Sequence, residues 1–316
     1  MSRVRVIDEA EVRRLLPMAE CIGVMAEALT SLGRGEVHNP LRTIVRPPAE
    51  SSLLGLMPSH RGGDRPLYGL KAIAIFPGNA ARRLDLHQGF VALFDGETGE
   101  PRALLNAAGI TAVRTAAVSA VATRFLARED ASTLAILGTG VQGRAHLEAM
   151  RCVHEFARVV VWGRTPGRFA DVDGVEEVAS PEVAVRAADV LVTATSAAEP
   201  VVRRAWLRPG VHVNAVGSSI PTTRELDAQT MTDASLFVDR RESALHEAGD
   251  LLLAELGPEH IKAELGEVLL GTAPGRESPE ELTVFKSLGL AVEDLAAAEY
   301  VLERAEREDA GAVVSL

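Results

Sequence analysis

The sequence predicts a two-domain α/β protein, an α+β region followed by a doubly wound parallel sheet. Three observations predict it. The chain has 316 residues, and at about 100–200 residues per domain that length suits two domains. The hydrophobic period changes along the chain, from short aliphatic runs broken by turns to an alternation of strands and helices. A glycine-rich turn, GTGVQG at residues 138–143, sits where the alternation begins.

The bulk numbers bound the problem. Apolar residues make up 47% and charged residues 24%, an ordinary globular balance. Aromatics are only 4%, so the cores must be built from Ala, Val and Leu. A net charge of −11 repels nucleic acid and anionic membrane. It does not exclude an anionic small molecule held by a local Arg and Lys cluster. Cys21 and Cys152 form no CxxC pattern, which fits a reducing compartment. The N-terminal stretch lacks the apolar region of a signal peptide. No apolar run reaches the ~20 residues of a spanning helix. A cytoplasmic protein is expected.

Element by element, Asp8 and the following EAEVRRLL read as an N-cap and a short helix. Residues 17–32 carry helical apolar spacing and stop at Gly33 and Gly35. LRTIV (41–45), LLGLM (53–57), YGLKAIAIF (68–76), FVALFD (90–95) and ALLN (103–106) are short and aliphatic. Gly, Pro and Asp-Gly separate them, as in an antiparallel meander. DGETGEP (95–101) reads as a hairpin turn. Ala-rich residues 111–127 read as a linking helix capped by Thr111. TLAIL (133–137), RVVVW (158–162), VLVTAT (190–195), VHVNAV (211–216) and LFVD (236–239) then read as buried strands, with helical stretches between most of them. Continuous apolar strands of that kind form a parallel sheet covered on both faces. TVFKSLGLAVEDLAAAEYVLERAERE (283–308) is a strand, a glycine and a long helix.

Gly138-Thr139-Gly140-Val141-Gln142-Gly143 is a full G-x-G-x-x-G. Alone it is weak, but here it follows an apolar strand and opens a helix. The first glycine allows the tight turn, the second lets backbone approach a pyrophosphate, and the third lets helix pack on strand. This is the dinucleotide-binding turn of a Rossmann domain. The next strand ends in Trp162-Gly163-Arg164-Thr165, with Arg168 close behind and no carboxylate for a ribose 2′-hydroxyl. Arg164 offers a planar fork to a 2′-phosphate, so NADP is favoured over NAD. Arg168 reads equally as a second phosphate contact or a solvated helix residue. Thr195, Val216 and Gly217, at the ends of later strands, are expected cofactor contacts.

The first region holds Arg42 on a strand, Lys71 inside YGLKAIAIF and Arg114 at the start of the linking helix. A substrate carboxylate would account for all three, through bidentate arginine bonds and an ammonium charge. A surface lysine on an alternating strand accounts equally well for Lys71. His87, in LDLHQG, is a further candidate, although a lone histidine is more often structural. No HExxH, paired-cysteine, GxSxG or Walker lysine pattern is present, which argues against a metal site and against serine-hydrolase or nucleotide-triphosphate chemistry.

These segments together resemble the ornithine cyclodeaminase/μ-crystallin family over nearly the whole chain. The carrying stretches include PLRTIV (40–45), YGLKAIAIFPGNA (68–80), ITAVRTAA (110–117), AILGTGVQG (135–143), VNAVGSSIPTTRELD (213–227) and TVFKSLGLAVEDLAAA (283–298). The resemblance implies a homodimer. It implies a Rossmann domain at 114–290, with residues 1–113 and 291–316 forming a substrate-binding and dimerisation domain. It implies that Arg42, Lys71 and Arg114 match substrate-carboxylate and catalytic positions. The cyclodeaminases of the family carry G-x-D-x-P, whereas this chain has Gly217-Ser218-Ser219-Ile220-Pro221. A serine hydroxyl is neither a fixed negative charge nor a strong base at neutral pH. The expected activity is therefore NAD(P)H-dependent reduction of the imine of a 2-oxo acid, with Ser219 against the substrate. Ornithine cyclodeamination with catalytic NAD, an amino-acid dehydrogenase and a non-catalytic NADPH-binding protein are the alternatives. Glu247 and Asp250 read equally as cleft-lining acids or a solvated helix start. Lys286 and Ser287 read equally as nicotinamide neighbours or strand–helix packing.

Overall fold

The computed structural model describes residues 2–82 and 84–316. Arg-Val-Arg-Val-Ile alternates in exposure and forms β1 (Arg3–Ile7). Asp8 caps α1 (Glu9–Leu15) by accepting the Glu11 N–H. Pro17 starts α2 (Met18–Gly33), and Gly35 beyond its end takes a left-handed φ of 76°. The strands β2 (Val37–His38), β3 (Thr43–Val45), β4 (Leu53–Arg61), β5 (Leu67–Ile75), β6 (His87–Asp95) and β7 (Pro101–Asn106) follow. Four antiparallel pairings join β2 and β3 to β4, β4 to β5, and β5 to β6; a further one joins β6 to β7. Asp95 organises the β6–β7 turn by accepting the N–H groups of Glu97 and Thr98.

The linking helix α3 (Ala107–Leu126) begins four residues earlier than Thr111 suggested. Asn106 makes the cap, accepting the Gly109 N–H at 2.9 Å. Thr111 lies inside the helix, its hydroxyl donating back to the Ala107 carbonyl, and Arg114 lies two turns in. The helix is apolar all round because its residues are buried on almost every side.

The second run is β8 (Thr133–Leu137), α4 (Val141–Arg151), β9 (Arg158–Trp162), β10 (Glu176–Glu177), α5 (Pro181–Ala187), β11 (Val190–Thr193) and β12 (His212–Ala215). Next come α6 (Ala228–Asp233), β13 (Ser235–Val238), α7 (Arg241–Glu247), α8 (Gly249–Leu252), β14 (Ile261–Glu264), α9 (Leu265–Leu269) and β15 (Thr283–Lys286). These eight strands form one parallel sheet in the order β10-β9-β8-β11-β12-β15-β13-β14. The central strands are buried on both faces, as in β11, β12 and β15. β10 and β14 are additions to the expected strand set. The covering helices are shorter than the alternation suggested. Only turns and bends lie between β9 and β10, and only a single 3-10 turn between β11 and β12. The order reverses between β8 and β11, the switch point at which a doubly wound sheet opens a crevice for ligand.

The chain ends in α10 (Ala291–Glu308) and β16 (Ala312–Ser315). β16 pairs antiparallel with β1, and β1 pairs parallel with β7. The first sheet is therefore mixed, not purely antiparallel, and takes one strand from each end of the chain. The chain divides into two compact units, one of residues up to Arg114 plus Leu290–Leu316, the other Thr115–Gly289. Among the described residues no single helix is long and apolar enough to cross a membrane.

Candidate active site

Alternation along β5 turns Leu67, Gly69 and Lys71 to one face of the first sheet. Lys71 sits in register with Met57 on β4 and Val91 on β6, both buried. Its side chain is 3% exposed, which excludes the surface-lysine reading. The ammonium donates to the Thr111 hydroxyl at 2.6 Å and to Asp294 Oδ1 at 3.2 Å. Arg114 Nε donates to the same Asp294 oxygen at 3.0 Å, and Nη1 to Glu293 Oε2 at 2.7 Å. Lys71, Arg114, Glu293 and Asp294 are all buried.

α10 brings the two acids. Its first turn carries Glu293 and Asp294, where acids complement the helix dipole. Asn39 fixes this turn by accepting the Val292 N–H at 2.8 Å. The Ser59 hydroxyl donates to the Ala291 carbonyl at 3.2 Å.

Burial pushes the Lys71 ammonium down to about 8. Asp294 opposes that shift, while Arg114 and Arg42 add to it. Arg42 lies just before β3 rather than on it, and its charge reaches Lys71. His87 opens β6 with an exposed side chain and shares the Lys71 face of the sheet. Its pKa is lowered by partial desolvation and then by Lys71, with Asp85 opposing. The structure thus gathers Lys71, Arg114, Arg42 and His87 around one pole of positive charge. Of the acids that balance it, Asp294 lies 223 residues beyond Lys71, in a stretch whose sequence pattern shows only a helix.

The second unit carries the glycine turn. Gly138 has a left-handed φ of 116°, and a Cβ there would strike the Ala194 carbonyl. A Cβ at Gly143 would strike the Gly138 carbonyl, whereas Gly140 faces open space. Gly140 is the N-cap of α4, and no side chain caps that end. Backbone N–H groups at an open helix start suit a pyrophosphate, so the residues fit a dinucleotide. Thr139 packs against Gly163, where a Cβ would meet its hydroxyl. Val141 is 61% exposed, an apolar surface at the helix start. Gln142 is half-buried, and its carbonyl faces His146 Nδ1 at 2.7 Å.

After β9, Arg164 and Thr165 are exposed, and Arg164 Nη2 donates to the Ser196 hydroxyl at 3.1 Å. The nearby Glu177 accepts the N–H groups of Gly167 and Phe169. Arg168 is exposed, and its carbonyl accepts from Arg144.

Thr195 and Gly217, at the ends of β11 and β12, meet at a buried carboxylate that sequence reading passed over. Glu225 accepts from the Thr195 N–H, the Thr195 hydroxyl, the Gly217 N–H and the Thr193 hydroxyl, each at 2.7 Å. Its pKa is raised by burial, against the pull of Lys286. Asp250 holds the Glu225 and Leu226 N–H groups and pairs with Lys286 at 2.9 Å. Asp250 and Lys286 are fully buried, so Asp250 is an internal brace, not a cleft acid, and Lys286 belongs to the same brace. Ser287 is buried, and Glu247 is half-buried at the end of α7. Val216 and Ser219 are half-buried beside Gly217, and the Ser218 hydroxyl is tied to Thr223. No group of three or more His, Cys, Asp or Glu among the described residues is arranged to hold a metal.

A sequence profile of the ornithine cyclodeaminase/mu-crystallin family matches residues 3–309. The ketimine reductase mu-crystallin of Rattus norvegicus is 43% identical over 274 residues, covering 85% of this chain and 86% of that one. A solved Thermococcus litoralis Delta(1)-pyrroline-2-carboxylate reductase, in complex with NADH and L-proline, superposes with a TM-score of 0.93. It is 34% identical and covers 98% of this chain and 99% of its own. An archaeal alanine dehydrogenase dimer with bound NAD also gives 0.93, at 31% identity and 99% coverage of both chains.

Proposed function

The chain belongs to the ornithine cyclodeaminase/mu-crystallin family, and we propose that it reduces the imine of a 2-oxo acid to an amino or imino acid with NADPH or NADH. The observation that carries this reading is the buried cationic group around Lys71. Arg42 and Arg114 hold the substrate carboxylate, and Lys71 lies beside the imine nitrogen. When bound, the reduced nicotinamide supplies hydride for the imine carbon. Lys71 gives its proton to the nitrogen, so the C=N bond becomes CH–NH, and Lys71 regains a proton from solvent. An ammonium near 8 is well matched to this work, since a general acid is most effective with a pKa close to the working pH. His87 and Ser219 border the substrate, and neither has to act as a base.

The cofactor rests on Gly138, Thr139, Gly140, Val141, Gln142 and Gly143, with Thr195, Val216 and Gly217 nearer its reactive end. The Arg164, Thr165 and Arg168 group favours the 2′-phosphate of NADPH, and the acid at this loop, Glu177, is taken up by the Gly167 and Phe169 N–H groups. The solved relatives carry NAD or NADH, which makes the preference a point to measure. A cytoplasmic homodimer is the assembly this reading expects, in keeping with the dimeric alanine dehydrogenase relative.

The test is steady-state oxidation of NADPH and NADH with pyrroline-2-carboxylate and piperideine-2-carboxylate, alongside proline formation from ornithine with NAD. Imine reduction without ornithine turnover is expected. Proline from ornithine would overturn the reading and show that Ser219 does not exclude cyclodeamination. Tight NADPH binding with no turnover would point to a carrier.

A further inference from the structure

Thirty-three residues of the chain are Lys or Arg, and only three of these are lysines: Lys71, Lys262 and Lys286. Lys262 is a partly exposed surface pair with Glu277 and Glu281. Lys71 is buried in a chain that otherwise uses arginine almost throughout. An arginine there would keep the charge, but it would replace a compact ammonium with a rigid planar fork that cannot release its proton. The position therefore asks for lysine chemistry, and such a lysine needs something to hold it.

Two cations side by side in a buried site repel each other. Lys71 and Arg114 stand close because one oxygen, Asp294 Oδ1, accepts from both. Glu293 takes a different part of Arg114, its Nη1. Lys71 feels Asp294, Arg114 and Arg42, and its ammonium donates to Thr111 and Asp294. Thr111, anchored to the Ala107 carbonyl, supplies a neutral contact to Lys71. Stability alone is a poor reason for this arrangement, because a buried ion cluster is often no better than an apolar packing of equal volume.

We infer that the acidic dipeptide Glu293-Asp294 in the first turn of α10 is the positioning device of the cationic site, with Asp294 assigned to Lys71 and Glu293 to Arg114. The assignment deepens the imine-reductase reading and rests on it for its catalytic meaning. Neither acid touches substrate in this scheme. Asp294 keeps the Lys71 ammonium charged and aimed, and Glu293 keeps the Arg114 fork in place for a carboxylate. The C-terminal helix thereby completes a site whose cations come from β5 and α3.

The test uses the full chain, with Asp294→Asn, Glu293→Gln and Asp294→Glu. Selective 13C labelling of lysine Cε gives three resonances, and the Lys71→Arg variant assigns the one of interest. Titration then reads Lys71 directly, without substrate. Wild type is expected to titrate at about 8. Asp294→Asn should move Lys71 down by about one pH unit or more and carry the alkaline limb of kcat with it. Glu293→Gln should move both less than Asp294→Asn does and raise KM for the imine ~10-fold, the effect of one lost charged hydrogen bond. Asp294→Glu keeps the charge but displaces the oxygen, so the titration should persist while kcat falls. An Asp294→Asn protein with an unmoved Lys71, or a Glu293→Gln protein that moves Lys71 equally, would overturn the division of labour. If Asp294→Asn does not fold, full kcat in Asp294→Glu would overturn it instead. A wild type that reduces no imine, yet shows the Asp294-dependent titration, would sink the activity and leave the positioning role standing.

Discussion

The two candidate sites, one in each unit, are built by opposite means. In the first unit the chemistry lies in side-chain charge, with four ionic groups buried together on β5, α3 and α10. In the second it lies in backbone shape, with Gly138 and Gly143 placed where any side chain would collide with a carbonyl. Charges under low solvation are sensitive to protonation and to their partners. A glycine turn is indifferent to pH but intolerant of a single added carbon. The difference teaches where each should fail: the first through chemistry at intact cofactor affinity, the second through cofactor affinity at intact chemistry.

Lys71→Met should break the first half most severely. Losing a positioned general acid costs ~10²–10⁴-fold in kcat, with NADPH affinity unchanged by direct titration. In the wild type the sign of the pH effect follows from the role. The acid must be protonated, so kcat should hold below about 8 and fall as pH rises through it. A pH profile flat through that range would remove Lys71 from the proton transfer.

Gly143→Ala tests the second half. The new methyl meets the Gly138 carbonyl, so helix and turn must separate. Strain of ~1–3 kcal/mol should weaken NADPH binding ~10–100-fold, while kcat at saturating cofactor stays within a few-fold. Equal losses in both constants would mean that the turn does more than hold phosphates. Arg164→Ala is a milder probe. Losing one charge-assisted contact should lower the NADPH over NADH preference ~10-fold, read as the ratio of kcat/KM values. An unchanged ratio would leave the 2′-phosphate to Arg168, Thr165 or neither.

How much of this was legible in the sequence differs between the halves for a physical reason. The glycine turn is contiguous, so its strand, turn and helix could be read from residues 133–151 alone. Lys71 was conspicuous among its apolar neighbours, but its counter-ion is supplied by a helix at the far end of the chain. No local pattern pairs β5 with α10. Likewise β1 and β16 are short strands at opposite termini, and each is half of a pairing invisible to either alone. Glu225 stood in a recognised stretch, yet its role depends on two loop ends and burial that only the parallel sheet brings together. Thr111 resembles a cap because it precedes an apolar run, yet it lies inside α3. Gly109 obscured the true start, and it is glycine because α1 packs there, with Val12 Cγ1 only 3.0 Å from where a Cβ would sit.

The start of α3 carries the smallest expected effect. Asn106 is the side-chain cap of α3, and Asn106→Ala should lower stability by ~1 kcal/mol, seen as a fall of a few degrees in Tm. The effect on catalysis should be slight. Thr111 and Arg114 sit one and two turns inside the helix, and Arg114 is gripped by Glu293 and Asp294 rather than by the helix start. Fraying at residue 107 therefore leaves the cations in place. A kcat loss of more than ~10-fold in Asn106→Ala, well beyond what one cap is worth, would show that the charged site depends on backbone shape after all, and the contrast between the two units would narrow.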